Sequence, residues 1–285
     1  MQNKENPRLK IALIKPPQET NEVQPPLGLG YLASSVKNIA EVRIIDSICD
    51  KLTIAQLISI IRKSYFDVIG LQCYTVDFNT VKIIARAIRK YSPKSIIIVG
   101  GPHPTLAPQD TLNSLEVDYA FLGDAEISFQ MFVEAIKKNK LNKRFLKKIP
   151  GIAYREGKLI TIHPMKYPEN LDDYSPSWEL YDLKKYPLAP HGGFCKQSPT
   201  APIIITRGCP FNCDYCGGYK ISGRKIRSHS VDFTMSQIEL LVKKYRIREI
   251  HIEDDNFTMK REFVEEFCKK LIKKDFGITW TCPNG

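Results

Sequence analysis

Between Lys10 and Lys138 the chain alternates, five times over, between a short apolar run and a helical pattern. That alternation restricts its fold more than any other feature. The runs are Lys10–Lys15 (KIALIK), Val42–Asp46, Asp67–Cys73 (DVIGLQC), Ser95–Gly100 (SIIIVG) and Val117–Leu122. Between them, apolar residues recur at i, i+3, i+4 and i+7: Leu29, Leu32, Ala33 and Val36; Ile54, Leu57, Ile58 and Ile61; Val81, Ile84, Ala85 and Ile88. A further helix begins at about Glu126. Such spacing gives each helix one apolar face. Pro25-Pro26 suits the start of the first helix, and Thr53 suits the N-cap of the second. Continuous apolar runs suit strands covered on both faces, so a parallel sheet between two helical layers is expected. Right-handed crossovers then bring every strand-to-helix loop to one carboxyl edge, where such sheets bind ligands.

Residues 151–162 (GIAYREGKLITI) predict a hairpin around Glu156-Gly157. The stretch that follows is different in kind. It holds Pro164, Pro168, Pro176, Pro187, Pro190 and Pro199 with little periodicity, as an extended connector packed on both neighbours would. A second strand–helix alternation starts at Pro202–Thr206 (PIIIT). Its helical stripes are Ile238, Leu241, Val242, Tyr245 and Val264, Phe267, Cys268, Leu271; its later strands are Glu249–Ile252 and Ile278–Thr281. The expected division is 1–148, a connector over 149–200, and 201–285, which suits a chain of 285 residues. Three strands cannot close a barrel. The pattern stops in mid-repeat at Gly285, so a truncated sequence is expected, or one whose sheet a partner completes.

The strand at Pro202–Thr206 runs straight into Arg207-Gly208-Cys209-Pro210-Phe211-Asn212-Cys213-Asp214-Tyr215-Cys216-Gly217-Gly218, a C-x3-C-x2-C loop. Three thiolates hold three irons of a [4Fe–4S] cluster and leave the fourth without a protein ligand, whereas electron-transfer clusters normally use four cysteines. A metal with an open position can take a small molecule. Structural zinc wants four N or S ligands, and the nearest additional candidates, His229 and Cys195, are not closely spaced. The other cysteines (Cys49, Cys73, Cys195, Cys268 and Cys282) are scattered, which suits reduced thiols rather than a disulfide framework. A loop after a strand lies at the carboxyl end of its βα unit, the active face of βα barrels. Gly208, Gly217 and Gly218 let backbone approach what sits there. Tyr215 either lines a ring-binding wall or packs as a core aromatic. Arg224, Lys225 and Arg227 either meet an anionic group or stand solvated. Glu253, Asp254 and Asp255 close a strand, where a carboxylate suits a ligand ammonium; alternatively Asp255 or Asn256 caps the next helix.

The cysteine loop, with Tyr215 before the last cysteine, resembles the radical S-adenosylmethionine (SAM) superfamily. The ordered set before it resembles the cobalamin-binding domain fused to one large class of these enzymes, the class B methyltransferases: Pro25-Pro26-Leu27-Gly28, Cys73-Tyr74-Thr75, Val99-Gly100-Gly101-Pro102-His103-Pro104-Thr105 and Gly123-Asp124-Ala125-Glu126. The resemblance covers essentially the whole chain. It implies a flavodoxin-like (Rossmann-type) parallel sheet of about five strands, then the first part of a radical SAM (β/α) partial barrel. It implies that Cys209, Cys213 and Cys216 bind the [4Fe–4S] cluster, and that Tyr215, Glu253, Asp254 and Asp255 meet SAM. Thr75, Gly100, Gly101, His103, Thr105, Gly123 and Glu126 would meet cobalamin. The implied reaction is reductive cleavage of SAM to a 5′-deoxyadenosyl radical, then methylation of an unactivated carbon of a small-molecule substrate. The electron would come from a carrier such as ferredoxin or flavodoxin.

One departure stands out. Many cobalamin domains carry Asp-x-His-x-x-Gly in the first strand-to-helix loop, yet residues 16–26 contain no histidine. Cobalamin would then bind without a histidine from that loop, and His103 is expected to be a loop hydrogen-bonding residue instead. Other readings are a cyclase or rearrangement, a methylthiotransferase, or a non-catalytic cobalamin-binding fragment, the last favoured by the end at Gly285. Methylthiotransferases carry a second three-cysteine set in the first domain, where this chain has only Cys49 and Cys73.

The net charge is +11, and a basic run extends from Lys137 to Lys148. Only Phe145 interrupts it as an aromatic, so a solvated helix end is expected rather than a nucleic-acid surface. No apolar run approaches the about 20 residues that span a bilayer. The polar start (MQNKENPR) lacks a signal-peptide core, so a cytoplasmic protein is expected.

Overall fold

A computed structural model describes residues 8–20, 23–186 and 195–284. Most of the polar N-terminus, Pro187 and Pro190 of the connector, and Gly285 lie outside the described residues.

The first unit runs β1 (Leu9–Lys15), α1 (Leu27–Val36), β2 (Ala40–Asp46), α2 (Ile54–Lys63), β3 (Val68–Gln72), α3 (Phe78–Tyr91), β4 (Ile96–Gly100), α4 (Pro102–Leu106), α5 (Pro108–Ser114), β5 (Tyr119–Phe121), α6 (Glu126–Lys137) and α7 (Lys143–Leu146). A hairpin of β6 (Ile152–Glu156) and β7 (Leu159–Ile162) follows. Among the described residues these strands form a seven-stranded sheet in the order β2-β1-β3-β4-β5-β6-β7. β1 to β5 are parallel, and the hairpin pairs antiparallel with β5. The parallel part has the five expected strands; the hairpin, expected as a separate feature, extends the same sheet and covers the edge that β5 would otherwise leave open.

Period-two alternation sorts the strand residues. Ile11 and Leu13 face α1 and α6, beside Leu29, Ala33, Phe129 and Phe132. Ala12 and Ile14 face α2 and α3, beside Leu57, Ile61, Val81 and Ile84. Both faces are apolar, which is why the strands read as unbroken runs. Thr53 caps α2 in a capping box: its hydroxyl accepts from the Gln56 N–H, and the Gln56 side chain accepts from the Thr53 N–H at 2.8 Å.

The second unit comprises β8 (Thr200–Ile203), β9 (Thr206–Arg207), α8 (Gly218–Ser222), β10 (Arg227–Ser228), α9 (Val231–Tyr245), β11 (Glu249–Ile252), α10 (Arg261–Lys274) and β12 (Thr279–Thr281). β12, β11 and β8 form a parallel sheet in that order, and β9 pairs antiparallel with β10. The strand expected over Pro202–Thr206 breaks after Ile203 for a local reason. The Asp254 carboxylate accepts the N–H groups of Ile205 and Thr206 at 2.7 and 2.8 Å, drawing that backbone away from the ladder.

α1 belongs to both units. Leu29, Ala33 and Val36 pack under the first sheet, whereas Leu27 and Tyr31 join Trp178, Tyr181, Ile203, Ile250 and Phe267 in the core of the second. The connector crosses its back: Tyr181 donates its hydroxyl hydrogen to the Pro26 carbonyl at 2.8 Å, and the Ser177 N–H donates to the Gly30 carbonyl. A Cβ on Gly30 would come within 2.6 Å of that tyrosine oxygen, so glycine permits the crossing.

Among the described residues no helix is long and apolar enough to cross a membrane. In the basic run, Lys138 pairs with Glu134 and Lys143 with Glu156, all at exposed or half-buried positions.

Candidate functional site

The order β2-β1-β3-β4-β5 reverses direction between β1 and β3, so the carboxyl edge there is a topological switch point. Three loops meet on it. Gly101, after β4, has φ +110°, and a Cβ there would lie 2.9 Å from the Cys73 carbonyl oxygen, so the loop depends on glycine. The His103 N–H donates to that same carbonyl. Thr105 ties the loops after β4 and β5: its hydroxyl donates to the Gly101 carbonyl at 2.8 Å and accepts from the Gly123 N–H at 3.0 Å. His103 lies in α4 rather than in a loop. Its Nδ1 is 3.2 Å from the Thr75 hydroxyl, and its ring packs on Phe78.

Beneath this edge lies a cavity of about 260 Å3, lined by both units. Leu13, Leu29, Ile98, Phe121 and Phe129 give it an apolar depth. Gly28, Gly100, Gly101 and Gly123 come to its wall from the first unit; Thr206, Arg207, Glu253 and Asp255 come from the second. A Cβ on Gly28 would meet nothing within 4 Å, so the first turn of α1 presents bare backbone to open space. Gln72 Oε1, Glu126 Oε2 and Arg207 Nε belong to lining residues and are buried without a hydrogen-bond partner among the described residues. Buried polar atoms of this kind call for a partner, which a water or a ligand group can supply.

The cysteine loop stands at the second unit's edge. Gly208 has φ +95°, and a Cβ there would lie 2.4 Å from the Lys225 carbonyl oxygen, so the two stems of the loop touch at a position only glycine can fill. Cys209 is half-buried and donates its N–H to the Gly223 carbonyl. Cys213 and Cys216 are exposed. The Gly218 N–H points at Cys216 Sγ, 3.3 Å away, a geometry that suits a thiolate. Arg224 braces the loop from outside, donating to the carbonyls of Pro210 and Phe211 and to the Asn212 side chain while stacking on Tyr219. Among the described residues no three His, Cys, Asp or Glu side chains are gathered as a metal site, so the three sulfurs share a loop without yet converging. Tyr215 is 93% exposed and so is not a core aromatic.

At the end of β11 the three acidic residues part ways. Asp254 is buried and spends both oxygens on backbone, and burial pushes its pKa up to about 6 against those hydrogen bonds. Glu253 and Asp255 line the cavity. Asp255 faces Gly218, and its pKa is raised by burial and then by the charge of Asp124. Neither Asp255 nor Asn256 makes a side-chain cap; a short 3-10 turn, Phe257–Met259, follows instead.

Sequence reasoning missed the cluster that joins the two edges. Arg207 Nη1 lies 2.7 Å from Glu126 Oε1 and 3.5 Å from Asp124 Oδ2, and Arg227 Nη2 lies 3.0 Å from the same aspartate oxygen. Arg207, Arg227 and Glu126 are buried, and Asp124 is nearly so. Arg227, expected to be solvated or to meet an anionic ligand, is committed to this cluster and to the carbonyls of Pro168 and Ser222. The Arg207 guanidinium also lies 4.4 Å from the centre of the Tyr31 ring. Burial opposes its charge, and Glu126 and Asp124 more than offset that and raise its pKa. Tyr31 is pushed up to about 12 by burial, with Arg207 acting against the shift. The only sequence signal was a charged residue at the end of an otherwise apolar strand.

Comparison with known proteins matches residues 19–133 to the B12 binding domain and residues 203–285 to the radical SAM superfamily. The chain is 30% identical over 285 residues to the uncharacterized methyltransferase PH0819 of Pyrococcus horikoshii, covering 97% of this chain and 60% of that protein. It is 25% identical to the cytidylyl-2-hydroxyethylphosphonate methyltransferase of Streptomyces wedmorensis, over 91% of this chain and 56% of the other. It is 26% identical to the anaerobic magnesium-protoporphyrin IX monomethyl ester cyclase of Rubrivivax gelatinosus, over 90% and 46%. The chain thus spans about half of the curated relatives it matches. Among solved structures, the cobalamin-dependent SAM radical enzyme OxsB, with aqua-cobalamin and SAM bound, superposes with a TM-score of 0.80 at 21% identity, covering 96% of this chain and 38% of that one. The methyltransferase TsrM from Kitasatospora setae gives 0.74 at 14% identity, over 93% and 51%. These two likenesses establish the fold.

Proposed function

The chain belongs to the radical SAM proteins that carry an N-terminal B12-binding domain, and on that premise we propose that it forms the cofactor-binding part of a methyltransferase acting on an unactivated carbon of a small molecule. The observation that carries the proposal is the shared cavity: the carboxyl edge of the first sheet and the end of β11 open on the same space. When bound, a [4Fe–4S] cluster with SAM supplies hydrogen-atom abstraction and cobalamin supplies a methyl group.

The residues present fit these groups. Cys209, Cys213 and Cys216 offer three thiols on one loop, and the Gly218 N–H steadies the last of them. Glu253 and Asp255 stand where a ligand ammonium gains a charge-assisted bond, while Asp254 holds the strand end in place. Exposed beside the last cysteine, Tyr215 offers a stacking face to an adenine ring. On the first unit, Gly100, Gly101 and Gly123 give close approach to a large ring, and Thr75, His103 and Thr105 fix the loops that carry them. Glu126 keeps one oxygen without a partner at the cavity wall. The apolar depth excludes water from whatever enters. A one-electron carrier such as ferredoxin or flavodoxin would supply the reductant, and the cytoplasm suits such a system.

The test is anaerobic reconstitution with iron, sulfide and cobalamin, followed by SAM and a reductant. Iron uptake with both 5′-deoxyadenosine and S-adenosylhomocysteine is the expected result. 5′-Deoxyadenosine alone would favour the cyclase reading that the Rubrivivax gelatinosus relative suggests. Replacing the three cysteines by serine should abolish iron uptake while leaving cobalamin binding intact; retained iron would overturn the assignment.

A further inference from the structure

We propose that Arg207 is a positioning residue that locks the cysteine loop to the turn between β5 and α6, with Glu126 and Asp124 as its anchors. Arg207 ends β9 directly before Gly208 and Cys209. Its partner Glu126, 81 positions away, opens α6, and Asp124 precedes it in the same turn. Arg227 stands opposite Arg207 in the β9–β10 pairing and binds the same Asp124 oxygen. It also holds the Ser222 carbonyl at 2.7 Å, on the far stem of the loop. Both stems therefore end on one aspartate of the other unit. That aspartate follows Gly123, which Thr105 ties to Gly101. A continuous run of hydrogen bonds leads from the glycine loops of the first sheet to the two arginines flanking the cysteines.

Burying two guanidinium groups and two carboxylates is costly, and removing one partner strands the others. Surface pairing would not need such a cluster; holding two loops at one spacing does. The proposal rests on the function stated above for what the loops hold, but not for the lock itself.

Hydrogen exchange on the unloaded chain tests the lock. Arg207→Met and Glu126→Gln should each speed exchange about tenfold or more across residues 208–225 and 122–128, while α2 and α3 keep their protection. Arg207→Lys should restore part of it. The double variant should do no more than either single one, because the two residues act as a unit. Arg86→Met, which breaks the exposed Arg86–Glu116 pair, is the control and should change neither stretch. Unchanged exchange, an equal rise in α2 and α3, or additive effects would overturn the proposal. Where Arg207→Met fails to fold, Glu126→Gln carries the same test with the side-chain shape kept. In the loaded chain, magnetic coupling between the reduced cluster and cob(II)alamin should weaken and spread in Glu126→Gln. Unaltered coupling would reduce the cluster to a structural role and sink the positioning claim. Failure of the wild type to load either cofactor would instead count against the proposed function, leaving the exchange result standing.

Discussion

The loops at the edge of the first sheet and the cysteine loop of the second unit are built in opposite ways. At the edge of the first sheet the loops hold one another: Thr105 bridges Gly101 and Gly123, and His103 bridges Thr75 and Cys73. In the cysteine loop, residues 211–216 are all exposed, and the ties run to its own stems and to Arg224. The difference matches the ligands proposed for each. A large rigid ring is best met by a surface already shaped, whereas metal ligation supplies its own ordering energy and needs only ligands within reach.

The sharpest way to break this contrast is at the base of the cysteine loop. Gly208→Ala combines a left-handed backbone with a Cβ 2.4 Å from the Lys225 carbonyl, so a loss of about 3–4 kcal/mol is expected, measured as a lower urea midpoint. If alanine is tolerated, the loop is looser at its stem than the geometry requires. A smaller effect should come from pH. Burial pushes His229 from the usual 6.5 down to about 4, with Asp172 acting against it. Between those values the unfolded chain binds the proton and the folded chain does not, so stability falls as pH drops from about 6.5 to about 4. Asp254, raised to about 6, works in the other direction. The difference between the wild type and His229→Gln isolates the histidine and should reach about 2–3 kcal/mol at pH 4. A pH-independent difference would refute it. Least costly is Thr105→Val, which removes the hydroxyl between Gly101 and Gly123 at nearly constant volume. It should cost about 1 kcal/mol in thermal unfolding and weaken cobalamin binding, with iron uptake unchanged. A parallel fall in iron uptake would blur the distinction between the two loop systems.

The alternation of runs and stripes exposed the five parallel strands and their helices because a strand buried on both faces carries its signature locally. Long-range pairing left no such mark. Nothing in GIAYREGKLITI says that the hairpin joins β5 rather than standing alone. The stripe Leu29, Leu32, Ala33 and Val36 disclosed one face of α1, while Leu27 and Tyr31, on the other, answer to residues of the connector and of the second unit. Likewise the glycine-rich loops and the cysteines were visible as motifs. Arg207 received no role and Arg227 was left between an anionic ligand and solvent, because their partners lie 81 and 103 positions away.

That same helix limits how this molecule can breathe. A segment gripped along both flanks makes a poor hinge: swinging the halves apart would wet Leu27 and Tyr31 on one side or Leu29 and Ala33 on the other. Each of the two leucines alone costs roughly 1.5–3 kcal/mol to expose. The fold therefore favours entry past the loops at the cavity wall, such as those carrying Gly101, Gly123 and Ser222, over the opening of a clamshell.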